Sequence, residues 1–207
     1  MFEVLKDNFT IVVLGRWNVS IFSPAWVGKN IFGQKTITLE VGIEPESPRR
    51  LIADGVVVIP ANSRLIVAPN IIDDRNLKRA EDVVCKILEV LSHTPVSGVG
   101  VNFGFRVKQL TDRFSDIQAL LAEKLAREGL EIEAEEVKWT VGYDRERKSI
   151  LNLSVQMDKD GALMKFNFHS DTENTVKAIE SIKEKVIEYR DKALSVLGNV
   201  FGVTSEG

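Results

Sequence analysis

The sequence predicts an α+β protein, in which an antiparallel sheet is covered by helices on one face. Several segments alternate strictly between apolar and small or polar residues, which is typical of strands with one buried face. Two other segments, beginning near residues 73 and 170, carry apolar residues at helical spacing. These elements recur in the same order, so we expect two similar β-α-β-β-β-α halves that together form a curved sheet.

Size and composition suit one domain. The chain has 207 residues, of which 44% are hydrophobic and 28% charged, enough for a substantial core. We expect a single domain over residues 1–207, built from two pseudo-repeats at about 1–94 and 95–207. Glu3, Lys6 and Asp7 interrupt what would be the apolar part of a signal peptide. With no apolar run of about 20 residues either, we expect a cytoplasmic protein without a membrane partner.

In the first half, alternation predicts a strand over residues 9–17, and Ser23-Pro24 predicts the start of a short helix. Alternation then predicts a strand over 37–43. A hairpin follows, with strands 56–59 and 65–68 joined through 61–63. Asp73 or Asp74 is expected to cap a helix whose buried face includes Ala80 and Val84.

The second half repeats this order. Residues 99–107 alternate most clearly, Ser115-x-x-Gln118 is a capping box for a long helix, and residues 137–143 form the next predicted strand. Strands 150–157 and 163–168 are expected to turn through 158–161. A second capping box, Ser170-x-x-Glu173, predicts one long final helix with an apolar stripe over residues 179–200. That stripe suits either a coiled-coil seam or packing on a core, and its width favours the core.

Two details support an internal duplication: Val41-Gly42 and Val141-Gly142 occupy equivalent strand positions, and the closing helices present equivalent apolar faces. The alternative is that two antiparallel meanders align by chance. In element order the doubled unit resembles the TATA-binding protein fold, which implies a saddle-shaped sheet with helices on one side. No sequence motif carries this resemblance, so it implies no functional residue.

No catalytic motif is present, and we expect neither a metal nor a cofactor. The single cysteine, Cys85, excludes an internal disulfide and is expected at the edge of a helix's buried face. Only two histidines occur: His93 is expected in a loop after a helix, whereas His169 lies close enough to Asp171 to form an acid/base couple. Gly98 and its neighbours on the 99–107 strand are interpreted as places where other groups approach the sheet closely.

If helices cover one face of the sheet, the alternate residues form an open face. In the second half this face is rich in amides and basic groups, whereas acidic residues such as Glu81 and Glu180 are expected on the helices. The candidate binding residues are therefore Asn102, Arg106, Lys108, Lys138, Asn152, Gln156, Lys165 and Asn167.

These features favour a non-enzymatic interaction module that uses the open sheet face, the final helix or both to bind a protein partner or a second copy as a homodimer. One alternative is nucleic-acid binding by the basic part of the face. Another is an enzyme with an unrecognised site near His169. A face that is merely solvated is also compatible with the alternation.

Overall fold

The computed structural model describes residues 1–34, 36–42, 48–108, 135–144, 149–158 and 161–203. These residues form ten strands and four α-helices. The strands are β1 (Phe2–Val4), β2 (Thr10–Gly15), β3 (Thr38–Glu40), β4 (Arg50–Ala53), β5 (Val56–Ala61), β6 (Arg64–Pro69), β7 (Val96–Val107), β8 (Glu135–Asp144), β9 (Ser149–Asp158) and β10 (Gly161–Asp171). The helices are α1 (Pro24–Val27), α2 (Asp74–Val90), α3 (Thr175–Ile182) and α4 (Val186–Asn199).

All ten strands belong to one antiparallel sheet, with the order β3-β4-β5-β6-β2-β7-β10-β9-β8. The two halves meet at the centre, where β2 pairs with β7 and Ile11 lies opposite Val101. Strand β1 continues along the same side of β7 beyond a 3-10 turn at Lys6–Asn8. The predicted α+β class and antiparallel sheet are confirmed. The internal duplication and the likeness to the TATA-binding protein fold stay predictions.

The helices pack on one face of the sheet and bury its apolar side chains. Phe103, Phe105 and Phe166 are almost completely buried in this core. Tyr189 of α4 stacks on Phe168 of β10 with ring centroids 4.5 Å apart and nearly parallel planes. The final helical stripe therefore packs on the core, as its width indicated, rather than forming an exposed coiled-coil seam.

Some predicted elements are confirmed and others differ. Ser23 caps α1 and Asp73 caps α2, as expected from their positions. The strand predicted over 37–43 is described only as Thr38–Glu40, and the short strands β1 and β4 were not predicted, so the first half has more strands than the β-α-β-β-β-α pattern. The helix predicted to start at Ser115 lies outside the described residues.

The final helix differs most. Ser170 does not cap it, because this residue is buried in β10, where its hydroxyl lies 2.7 Å from that of Ser149. Asn174 is the cap, and its side chain accepts a hydrogen bond from the backbone N–H of Lys177. The predicted single helix is divided into α3 and α4, and Glu184 between them has a positive φ of 64°.

The break between α3 and α4 is held by a buried acidic residue of α2. Glu81 of α2 is only 1% exposed. Its carboxylate accepts hydrogen bonds from Lys78 and from the backbone N–H groups of residues 184–186. The prediction that Glu81 lies on a helix is confirmed, but its burial was not predicted. The start of α4 offers several unpaired N–H donors that a buried carboxylate can satisfy. No helix among the described residues is both long and apolar enough to cross a membrane.

Candidate functional site

The open face of the sheet lies opposite the helices, and strand alternation places seven of the eight candidate residues there, while Lys108 directly follows the end of β7. On β7, for example, Phe103 and Phe105 point into the core while Asn102 and Arg106 point away from it. Four of the eight are half-buried amides and three are exposed lysines, with Arg106 half-buried. The structure therefore brings the seven candidates that lie within strands together on one surface.

A continuous row of hydrogen bonds crosses five strands on this face. The hydroxyl of Thr140 donates to Asn152 Oδ1 at 2.8 Å, and Asn152 Nδ2 donates to Asn167 Oδ1 at 3.1 Å. Asn167 Nδ2 then donates to Asn102 Oδ1 at 2.7 Å, and Asn102 Nδ2 donates to Thr10 Oγ1 at 3.0 Å. We call these five residues the amide row. Every donor in it points in the same direction, from β8 towards β2.

Strand register explains why the row is continuous. Each of its members lies directly opposite the next: Thr140 faces Asn152, Asn152 faces Asn167, and Asn167 faces Asn102, which in turn faces Thr10. Opposed residues on one face of an antiparallel pair are close enough for short side chains to interact. On the first-half strands beyond β2 the facing residues near this level are apolar: Ala68 faces Val57, and Val57 faces Ile52.

Glycines on β7 allow polar side chains to lie close to the sheet beside the row. A Cβ atom at Gly100 would come within 2.7 Å of Asn167 Nδ2. A Cβ atom at Gly104 would come within 2.4 Å of the Asn8 Cβ. The interpretation of these glycines as places of close approach is confirmed, and the structure identifies side chains as the approaching groups.

The amide row lies in a depression with a volume of about 500 Å³. Its border includes Asp7 and Asn8, from the turn after β1, and Lys138, Ser154 and Lys165, which lie two positions from row members along their strands. Sequence reasoning missed Asp7 and Asn8. No sequence pattern pointed to them, because a 3-10 turn between two strands interrupts the alternation that reveals which face a residue occupies.

The charges of this face are mixed. Arg106 forms an ion pair with Asp158 at 2.7 Å, and Lys138 forms one with Glu136 at 2.9 Å. Both acids alternate onto the open face, so the expected separation of acidic helices from a basic sheet face was wrong. Lys165 is exposed and forms no ion pair with the described residues.

His169 and Asp171 do approach each other, with 3.1 Å between His169 Nε2 and Asp171 Oδ1. The imidazole lies over Gly98 on the open face, because a Cβ atom on that glycine would be 3.0 Å from the ring. The hydroxyl of Ser170, the residue between them, points to the opposite face of the sheet. Among the described residues, no hydroxyl or thiol hydrogen-bonds to the imidazole and completes a nucleophilic constellation.

Cys85 also lacks the environment of a reactive thiol. It is half-buried on α2 as expected, and burial, aided by the carboxylates of Glu81 and Asp82, raises the pKa of its thiol to about 12. Catalytic and redox cysteines instead have lowered pKa values. Within the described ranges, no group of three His, Cys, Asp or Glu side chains is arranged to hold a metal ion.

Comparison with known proteins does not assign the chain to a family. No protein-family model matches the chain, and no curated protein matches it.

Proposed function

We propose that this chain is a non-enzymatic binding module that holds a ligand on the amide row. The observation that carries the proposal is the row itself, in which three neighbouring carboxamides are oriented by one another at the base of a depression of about 500 Å³. Ligand pockets of this size with a few fixed polar groups are typical of binding sites. A ligand that meets oriented amides has less side-chain entropy to remove than one that must order them.

The charge arrangement supports this proposal over nucleic-acid binding. Two of the four basic candidates, Arg106 and Lys138, already neutralise acids on the same face. A surface that neutralises phosphates needs cations in excess. The final helix is also a weaker candidate for the binding surface, because the central residues of its stripe are buried in the core.

Nuclear magnetic resonance tests the proposal directly. Side-chain NH₂ signals of ¹⁵N-labelled protein would be assigned for Asn102, Asn152 and Asn167, then followed while a diverse library of soluble fragments is added. We expect a subset of fragments to shift these signals together. The Asn167→Ala variant should lose the response, and the Gln156→Ala variant, altered on the same face outside the row, should keep it.

The same NMR experiment can also contradict the proposal. If no fragment shifts the asparagine signals, or if Gln156→Ala removes the response as fully as Asn167→Ala, the amide row is not a binding site. A row that only cross-links the strands would give the first of these outcomes.

A further inference from the structure

A second row of polar side chains crosses the open face beside the amide row. Ser154 of β9 lies directly opposite Lys165 of β10 on one side and directly opposite Lys138 of β8 on the other. All three residues line the depression that contains the amide row. A hydroxyl group is therefore flanked by lysines on both neighbouring strands, on the same face of the sheet as the asparagines.

The Ser154 hydroxyl has no hydrogen-bond partner among the described residues, although its side chain is half-buried. The hydroxyl groups of Thr140 in the amide row and of Ser149 on the same strand both have partners. A hydroxyl that the protein does not satisfy can donate a hydrogen bond to a ligand. Ser154 therefore provides a donor at the floor of the depression.

The two flanking lysines differ in their present partners. Lys165 is exposed and forms no ion pair with the described residues, whereas Lys138 pairs with Glu136 at 2.9 Å. Both members of that pair are exposed, so it contributes little free energy and an incoming anion can replace it. Opposed Cβ atoms lie about 4.5–5.5 Å apart, a span that the four-carbon side chain of lysine covers. Both ammonium groups can therefore reach a ligand above the Ser154 hydroxyl.

A phosphate monoester matches these three donors and two positive charges. Such a group carries a charge of about −1.5 to −2 at pH 7 and presents three acceptor oxygens. A carboxylate has a single charge and two oxygens. A phosphodiester also has a single charge, and two of its oxygens are esterified. Of these three anions, the monoester alone matches both the charge and the number of donors.

The surrounding charges favour a single phosphate group over a nucleic-acid strand. Asp7 on the border of the depression and Glu136 beside Lys138 are both acidic. A nucleic-acid backbone needs cations along its length, and these carboxylates would repel it. A single phosphate group needs only the two lysines that flank Ser154.

We infer that the depression binds a small phosphorylated molecule, whose phosphate monoester is held by Lys138, Ser154 and Lys165. This inference rests on the proposed function and names its ligand class. Ser154 and Lys165 lie two residues from Asn152 and Asn167 on their strands, a distance of about 7 Å. A ligand with hydroxyl or amide groups close to its phosphate can therefore contact the amide row at the same time.

Nuclear magnetic resonance with matched anions tests the inference. The backbone amide signals of Ser154 and Lys165 would be followed at constant ionic strength while methyl phosphate, dimethyl phosphate or acetate is added. A short thymidine oligonucleotide without a terminal phosphate represents nucleic acid. We expect methyl phosphate to bind at least about threefold more tightly than dimethyl phosphate or acetate, because each of these has less charge and fewer free oxygens for the three donors.

Three variants separate this site from general electrostatic attraction. Lys165→Met should weaken the binding of methyl phosphate by at least about threefold. Lys192→Met is the matched control, since Lys192 is an exposed lysine of α4 that forms no ion pair with the described residues, and it should leave binding unchanged. Glu136→Gln releases Lys138 from its ion pair and should strengthen binding. All three positions are exposed, so we expect the fold to remain intact, which circular dichroism checks.

Equal binding of methyl phosphate and dimethyl phosphate overturns the inference, as does an equal loss in Lys165→Met and Lys192→Met. Tighter binding of the oligonucleotide than of methyl phosphate overturns it in favour of nucleic acid. If library fragments shift the asparagine signals while methyl phosphate does not bind, the phosphate assignment fails and the binding module remains. If neither fragments nor methyl phosphate bind, both conclusions fail.

Discussion

The carboxylate of Glu81 accepts a hydrogen bond from the backbone N–H of Val186 at 3.0 Å, across 105 residues of sequence. It accepts two more from the N–H groups of Glu184 and Lys185, and a fourth from Lys78 Nζ at 2.6 Å. Lys185, at the N-cap position of α4, provides no side-chain cap of its own. A residue of the first half therefore caps a helix of the second.

The Glu81→Gln variant tests this cap. Glutamine is similar in size, but one carboxylate oxygen becomes an NH₂ group. This group cannot accept hydrogen bonds from the N–H donors that it faces. Because the site is buried, the unpaired donors would remain without water, and we expect the free energy of unfolding to fall by about 2–4 kcal/mol. Urea unfolding followed by circular dichroism measures it.

Glu89→Gln is the matched control on the same helix. Glu89 is exposed and its ion pair with Lys86 is long, at 3.7 Å. We expect a change within about 0.5 kcal/mol, as for most surface ion pairs. Similar losses for the two variants would show that the buried carboxylate does not stabilise the helix junction.

The backbone at the junction between α3 and α4 gives a second prediction. Glu184 has a φ of 64°, a left-handed conformation that costs an L-residue about 1–2 kcal/mol and glycine almost nothing. We expect Glu184→Gly to be more stable than Glu184→Ala by about 1 kcal/mol in thermal and urea unfolding, although alanine favours ordinary helices. If the alanine variant is the more stable, the junction does not require this conformation.

Much of the sheet could be predicted from sequence because alternation reports a strand directly. Residues 99–107 have an apolar residue at every odd position, and the structure extends that segment only slightly to Val96–Val107. The short strands β1 and β4 were missed because three or four residues do not establish a period. Both are positioned by pairing with a longer neighbour.

The final helix and the candidate site both have features that depend on residues distant in sequence, which sequence patterns could not predict. The apolar stripe of residues 179–200 continues through the break, since α3 and α4 both pack on the core, so helical spacing could not reveal it. The interruption depends on Glu81, a distant residue. Likewise, sequence alternation placed Asn102, Asn152 and Asn167 on one face, but only strand order and register show that they are adjacent.

The amide row makes a prediction about stability that does not depend on a ligand. A double-mutant cycle with Asn167→Ala and Asn102→Ala cancels strand propensity and leaves the interaction between the two side chains. We expect a coupling free energy of about 0.5–1.5 kcal/mol from their 2.7 Å hydrogen bond, measured by urea unfolding. The pair Asn167→Ala and Gln156→Ala, which share no hydrogen bond, should show no coupling. Equal coupling in the two cycles would contradict the row.

Glycine substitutions test how closely side chains lie on β7. A methyl group at Gly104 would overlap Asn8, whose position is held by a backbone hydrogen bond to Leu5. We expect Gly104→Ala to lower the free energy of unfolding by about 1–3 kcal/mol. Gly142 on β8 has open space around its Cβ position, so Gly142→Ala should be neutral or stabilising by less than about 1 kcal/mol. Thermal unfolding of both variants distinguishes close packing from a general loss of strand flexibility, which would affect both alike.

The raised thiol pKa of Cys85 predicts how its reactivity depends on pH. Alkylation by iodoacetamide requires the thiolate. In the unfolded chain the rate should level off above the ordinary thiol pKa, near 9, whereas in the native protein it should continue to rise towards about 12. Between these values the unfolded chain has lost the proton that the native protein keeps, so this group makes the native state less stable as pH increases. Rates in native buffer and in urea, followed by mass spectrometry over this range, test the prediction, and a native rate that levels off near pH 9 would contradict it.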